Sequence, residues 1–141
     1  MINFQLVSSS GVKFEGDVYE VLLPTKDGTI AVFEDHMPLI SAGMAGVISV
    51  RKKASDGDSD MEQFAVNGGV LEVDGKSLHF LSDDVTTSDE ISEKEAEAAL
   101  ERAHQLVAGA TSRGAIQEAH RALHHSTAQL HVARLKKRRH M

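Results

Sequence analysis

A change of composition near Thr87–Glu90 constrains this chain more than any other feature. All five Phe and the single Tyr lie at or before Phe80, whereas 11 of the 16 Ala follow residue 89. Aromatic and β-branched side chains suit a pleated, half-buried surface; Ala and unbranched side chains suit helices. The charge changes at the same place. Residues 1–89 carry 15 acids and 6 bases, and residues 90–141 carry 6 acids and 9 bases. The pattern predicts an all-β N-terminal sandwich followed by a C-terminal α-helical hairpin of two antiparallel helices, with domains over residues 1–87 and 88–141.

The first part is a series of short apolar runs separated by turn residues. Phe4 and Leu6 alternate before Ser8-Ser9-Ser10-Gly11, and Val12 and Phe14 before Glu15-Gly16. Val18–Leu23 runs into Pro24, Asp27-Gly28 precedes Ile30–Phe33, and Val47–Val50 stops at Arg51. Phe64–Val66 meets Asn67-Gly68, and Val70–Val73 meets Asp74-Gly75; both Asn-Gly and Asp-Gly read as tight hairpin turns. Many short strands without intervening helices indicate an antiparallel sandwich or barrel. Asp56, Asp58 and Asp60 imitate the start of a calcium loop, but Met61 stands where such a loop needs Gly, and Asn67 where it needs Glu. This stretch reads as a solvated hairpin tip.

In the second part, Ser92-Glu93-Lys94-Glu95 matches a capping box. Ala96, Ala99, Leu100, Ala103, Leu106 and Val107 then recur at helical spacing. Gly109 and Gly114 bracket a turn, and Ile116, Ala119, Leu123, Ser126, Leu130 and Ala133 form a second narrow stripe. Stripes of small residues bury little area, so the hairpin is expected to be weakly attached. Arg134, Lys136, Lys137, Arg138 and Arg139 end it as a basic run, with no acid after Glu118.

Several chemistries are excluded by the residues. The chain has no Cys, so it has neither disulfide nor thiolate chemistry. Its formal charge of −6 argues against nucleic-acid binding. No stretch reaches the roughly 18 apolar residues of a membrane span, and the N-terminus does not read as a secretory signal. His120 and His124 lie one turn apart with His125 adjacent, yet nothing completes a metal shell. His36 beside Asp35 lacks a nucleophile elbow or other partner for catalysis. No catalytic residue, metal or cofactor is assigned.

The stretch Leu23-Pro24-Thr25-Lys26-Asp27-Gly28-Thr29-Ile30-Ala31-Val32, followed by His36-Met37-Pro38-Leu39-Ile40 and Gly46-Val47, resembles the epsilon subunit of F-type ATP synthases. Asn67-Gly68-Gly69-Val70-Leu71-Glu72-Val73 matches that family's S-G-G-x-x-E-V segment with Asn for Ser, and Ala128–Lys137 is similar to its closing helix. The resemblance spans essentially the whole chain, in order. It implies a non-catalytic rotor subunit on the cytoplasmic face of a bacterial membrane. Its partners would be the gamma subunit, the c-ring and, through the C-terminal helices, the catalytic alpha/beta ring, whose ATP hydrolysis it would inhibit. By the same resemblance Thr29, Asp35, His36 and Met37 would face the c-ring, and the basic helix end would meet the catalytic ring.

The chain departs from the family at two places. Glu34-Asp35 stands where Pro-Gly is usual. Ile91-Ser92-Glu93-Lys94-Glu95-Ala96 occupies the nucleotide-sensing I/L-D-x-x-R-A motif, with Ser for Asp and Glu for Arg. A carboxylate there repels a triphosphate, so ATP binding is expected to be weak or absent, with Arg102 and Arg121 as the remaining phosphate partners. The alternative from another class is a small ligand- or carbohydrate-binding β-sandwich with a helical oligomerisation hairpin.

Overall fold

A computed structural model describes residues 1–139, with side chains described through Leu135. Eight strands come first: β1 Ile2–Ser8, β2 Gly11–Val18, β3 Glu20–Thr25, β4 Gly28–Val32, β5 Leu39–Arg51, β6 Glu62–Val73, β7 Ser77–Leu81 and β8 Val85–Thr87. Two helices follow, α1 Glu93–Gly109 and α2 Arg113–Arg139. The strands form one hydrogen-bonded sheet in the order β2-β1-β7-β6-β5-β3-β4, with β8 beside β6.

The long pair β5–β6 turns this sheet into a sandwich. Its members pair from Leu39↔Val73 to Val50↔Glu62. The half near Val73 continues through β7, β1 and β2, and the other half through β3, β4 and β8. Two layers result, enclosing Phe4, Leu6, Val21, Leu23, Ile48, Phe64, Leu71, Leu78 and Phe80, all at 0–1% exposure. Alternation along each strand sends these side chains inward, as period-2 geometry requires.

The Asn67-Gly68 hairpin expected from the sequence is not formed. β6 runs straight through it, and Gly68 and Gly69 adopt φ of 79° and 150° inside the strand. Here the sheet bends between layers, and the inward-facing parity shifts from Phe64 and Val66 to Leu71 and Val73. A Cβ on Gly69 would collide with the Leu81 carbonyl oxygen, and one on Gly43 opposite would reach the Phe80 ring at 2.5 Å. The glycines therefore serve a bend and a close backbone approach rather than a chain reversal. Strand β5 likewise begins at Leu39, well before Val47, and the short β8 was not anticipated.

The helices begin and end where the local signals lie. Ser92 caps α1: its side chain accepts from the Glu95 amide at 3.2 Å, and the Glu95 carboxylate accepts from the Ser92 amide at 3.4 Å. Ala96, Leu130 and Ala133, with Ile91 and Leu100, join α1 to α2. Among the described residues no helix is long and apolar enough to cross a membrane.

The hairpin is folded down on the outer face of one layer. Ala65 points outward from β6 yet is fully buried, because Ala128 and Val132 of α2 cover it with Val47 alongside. A polar row flanks this contact. Arg121 donates to the Asn67 carbonyl at 3.0 Å, His125 Nε2 lies 3.1 Å from Asp84 Oδ2, and Gln129 donates to Thr86 Oγ1 at 2.9 Å. Residues 121, 125 and 129 follow i, i+4 spacing and so share one helix face.

Candidate functional site

The loop from Phe33 to Pro38 gathers three of the four residues assigned to c-ring contact. Asp35 takes a left-handed φ of 64° at the position where the sequence family has Gly. Such a conformation is uncommon for a side-chain-bearing residue but best tolerated by Asp and Asn. Local bonds hold it: the Asp35 amide donates to the Gly75 carbonyl at 2.7 Å, and its carboxylate meets Lys76 at 2.8 Å. His36 is half-buried, with Nδ1 2.7 Å from the Met37 carbonyl, while Met37 is 74% exposed. Thr29 is exposed but lies at the other end of β4, roughly 10 Å from Val32 at 3.3 Å per residue. The loop and Thr29 are thus two separate features of one edge strand.

Charges tie this loop to its surroundings. The N-terminal ammonium donates to Glu34 at 2.9 Å, and Lys76 bridges Glu34 at 3.2 Å. The Glu34 carboxyl is held below its usual value, first by the hydrogen bond from the N-terminus and then by Lys76. The Lys76 ammonium is raised by its bonds to Asp35 and Glu34. In the neighbouring turn, the Ser77 hydroxyl and amide depress Asp74.

A second feature went unrecognised in the sequence. On the uncovered layer, register places Ala42, Val70, Leu81, Val7 and Val12 side by side across β5, β6, β7, β1 and β2. All five side chains lie away from the core. Val70, Leu81 and Val12 are 49–55% exposed, and Met44 and Ile40 extend the patch along β5. An apolar stripe across five adjacent strands is a surface feature of the kind that marks an interaction site. Its only sequence signal is valine and leucine at positions that alternation assigns to solvent.

The hairpin residues are placed as follows. Arg134 bridges Glu93 at 3.2 Å and Glu97 at 3.6 Å across the hairpin. Lys136, Lys137, Arg138 and Arg139 continue α2, and their side chains lie outside the described part. Arg102 is exposed on α1, whereas Arg121 is engaged with the sandwich at Asn67 and, more distantly, Asp83 at 3.9 Å. Ser92 and Glu95, which stand where the nucleotide-sensing motif has Asp and Arg, bond to each other as the cap of α1. Of the loop acids, Asp58 binds Arg51 at 2.6 Å, and Asp56 and Asp60 accept the Lys53 and Gly57 amides. No group of three or more His, Asp or Glu among the described residues is arranged to hold a metal.

A family model described as ATP synthase, Delta/Epsilon chain, beta-sandwich domain matches residues 1–88. The ATP synthase epsilon chain of Sulfurihydrogenibium sp. (strain YO3AOP1) is 34% identical over 105 residues, 74% of this chain and 75% of the relative. That of Gloeobacter violaceus is 30% identical over 132 residues, 94% of this chain and 96% of the relative. In fold, the chain is similar to a subunit of the Euglena gracilis mitochondrial ATP synthase OSCP/F1/c-ring structure. The TM-score is 0.74 at 17% identity, over 94% of this chain and 80% of that one. A chain of the Tetrahymena thermophila ATP synthase central stalk/c-ring structure superposes with a TM-score of 0.55 at 12% identity, covering 97% of this chain and 95% of that one. The bent β5–β6 pair, the Gly68-Gly69 crossing and the folded-down hairpin thus sit in a sequence whose sandwich and whose relatives carry one name: the chain belongs to the ATP synthase epsilon chain family.

Proposed function

We propose that this chain is a non-catalytic rotor subunit that links the catalytic part of a proton-translocating ATP synthase to its c-ring and restrains ATP hydrolysis. It would act in the central stalk, at the cytoplasmic face of the membrane. Residues 1–87 form the anchoring unit and residues 88–141 the regulatory one. One observation carries this reading: the sandwich presents two unlike outer faces. One layer shows an open apolar stripe through Val7, Val70 and Leu81, suited to a permanent partner, for which the gamma subunit is the candidate. The other layer is occupied by a hairpin held through Ala65, Ala128 and Val132, a contact of small side chains that can be exchanged for another. A stable interface needs large apolar contacts, whereas a switching element needs a small energy difference between two positions.

The loop carrying Asp35, His36 and Met37, with Thr29 farther along the same strand, is the proposed c-ring contact. The basic end from Arg134 to Arg139 is the proposed contact with the alpha/beta ring once the hairpin leaves the sandwich. The test is reconstitution with alpha, beta and gamma subunits. The full chain should co-purify with gamma and lower ATP hydrolysis, and a chain ending at Thr87 should bind gamma without lowering it. A full chain that neither binds gamma nor changes hydrolysis would refute the proposal.

A further inference from the structure

The four residues Leu81–Asp84 pass from the apolar stripe to the hairpin contact. Leu81, the last residue of β7, is 55% exposed beside Val70 and Val7. Asp83 and Asp84 meet α2 at Arg121 and His125. Between them, Ser82 is buried at 7% exposure. Its amide donates to the Val7 carbonyl at 2.9 Å. Its single hydroxyl proton is shared between the carbonyl oxygens of Gly68 at 2.5 Å and Asp84 at 3.1 Å. The Asp84 carbonyl also accepts the Asn67 amide at 3.2 Å, and the Asn67 carbonyl is the acceptor for Arg121. The Gly69 backbone is pressed so close to Leu81 that no Cβ fits between them. The Ser82 hydroxyl, alongside the Asn67–Asp84 backbone bond, therefore joins the strand bend to the segment that α2 holds, and it alone reaches both carbonyls.

We propose that Ser82 is a positioning residue that couples hairpin docking to the shape of the apolar stripe, so that a partner on the stripe binds the docked form more tightly. The inference rests on the reading of the stripe as the gamma contact. With the hairpin docked, Arg121 and His125 hold Asp83, Asp84 and Asn67, and Ser82 extends that order to Gly68, Val70 and Leu81. With the hairpin released, the 82–84 turn relaxes, and the Ser82 hydroxyl carries the relaxation across the bend. Close-packed backbone shifts as a unit rather than yielding gradually. Linkage makes the effect reciprocal: a partner on the stripe favours the docked hairpin by the same factor.

The test uses the full chain with Arg121→Ala/His125→Ala, which opens the contact from the helix side, and Ala65→Glu as an independent way to open it. Amide hydrogen exchange at Val70 and Leu81 in the isolated protein is expected to quicken at least about 5-fold when the hairpin is released. The same response should appear with Ser82→Thr, which keeps the hydroxyl, and should fall below about 2-fold with Ser82→Ala, which removes it. In parallel, the isolated gamma subunit should bind the released form about 5-fold more weakly than the parent. Unchanged exchange at Val70 and Leu81 on release, or equal gamma affinity for docked and released chains, would overturn the proposal. An equal response with and without the Ser82 hydroxyl would overturn it as well. If gamma binds neither chain, the reading of the stripe fails instead, and the exchange result alone decides the Ser82 link.

Discussion

Replacing Ala65 with Glu should release the hairpin while leaving the sandwich folded. Ala65 is fully buried, but its side chain points out of β6 against Ala128 and Val132, between the core residues Phe64 and Val66. Ala65 and Ala128 bury one methyl each and Val132 three side-chain carbons. At about 0.8 kcal/mol per carbon this gives roughly 4 kcal/mol, an upper figure because a released chain keeps part of that burial. The three polar contacts of Arg121, His125 and Gln129 add about 1 kcal/mol each, and ordering the side chains removes a similar amount. The docked state is therefore favoured by a few kcal/mol. An unpaired carboxylate desolvated at the centre of this contact costs several kcal/mol more than that. Release exposes the carboxylate to water, so at least about 90% of molecules should be undocked.

Because the chain has no cysteine, Asp27→Cys and Gln117→Cys can carry a spin-label pair that reads the distance from sandwich to α2. The expected result is a long, broad distance distribution for Ala65→Glu and a short, narrow one for the parent and for Ala65→Ser. The melting temperature of the sandwich should move little. In the reconstituted enzyme the Ala65→Glu chain should inhibit ATP hydrolysis more strongly, since its hairpin is free to reach the ring. A parent-like distance in Ala65→Glu would refute the argument that Ala65, Ala128 and Val132 hold the hairpin down.

Gly69→Ala should lower sandwich stability by about 2–4 kcal/mol in urea titration, because a positive φ and the Leu81 carbonyl both oppose a Cβ there. Glu34 has a folded pKa below its ordinary 4.5, so the stability from its bonds to the N-terminus and Lys76 is present above that value and is lost as pH falls through the depressed one. Melting scans on acidification should accordingly show a shallower loss for Glu34→Gln than for the parent. Calorimetry should detect no low-micromolar ATP binding, since Ser92 and Glu95 are spent on the α1 cap and Arg121 on the sandwich. Neutralising Arg134, Lys136, Lys137, Arg138 and Arg139 together should relieve inhibition of ATP hydrolysis, with high salt giving part of the same effect. Each single change should do little, at about 0–1 kcal/mol per exposed pair.

The sequence by itself determined what local chemistry decides. The capping box at Ser92–Glu95, the helix turn between Gly109 and Gly114, and the alternation of Phe4 with Leu6 each depend on residues a few positions apart, and each sits where it was read. Motif order was equally legible, and it named the family. What crosses the chain was not. Asn67-Gly68 has the composition of a hairpin turn, but its positive φ serves a bend inside β6, because Gly69 must lie against Leu81 and β5 must stay paired on both sides. Which face of α2 would meet the sandwich depended on Ala65 being left uncovered by its own sheet. The stripe of Val7, Val12, Val70 and Leu81 exists only through register, since each residue alone is an ordinary aliphatic outside the core. Capping and alternation act within a turn or a strand and leave a signature in sequence; register, bending and docking depend on which distant surfaces meet, and only the tertiary structure decides that.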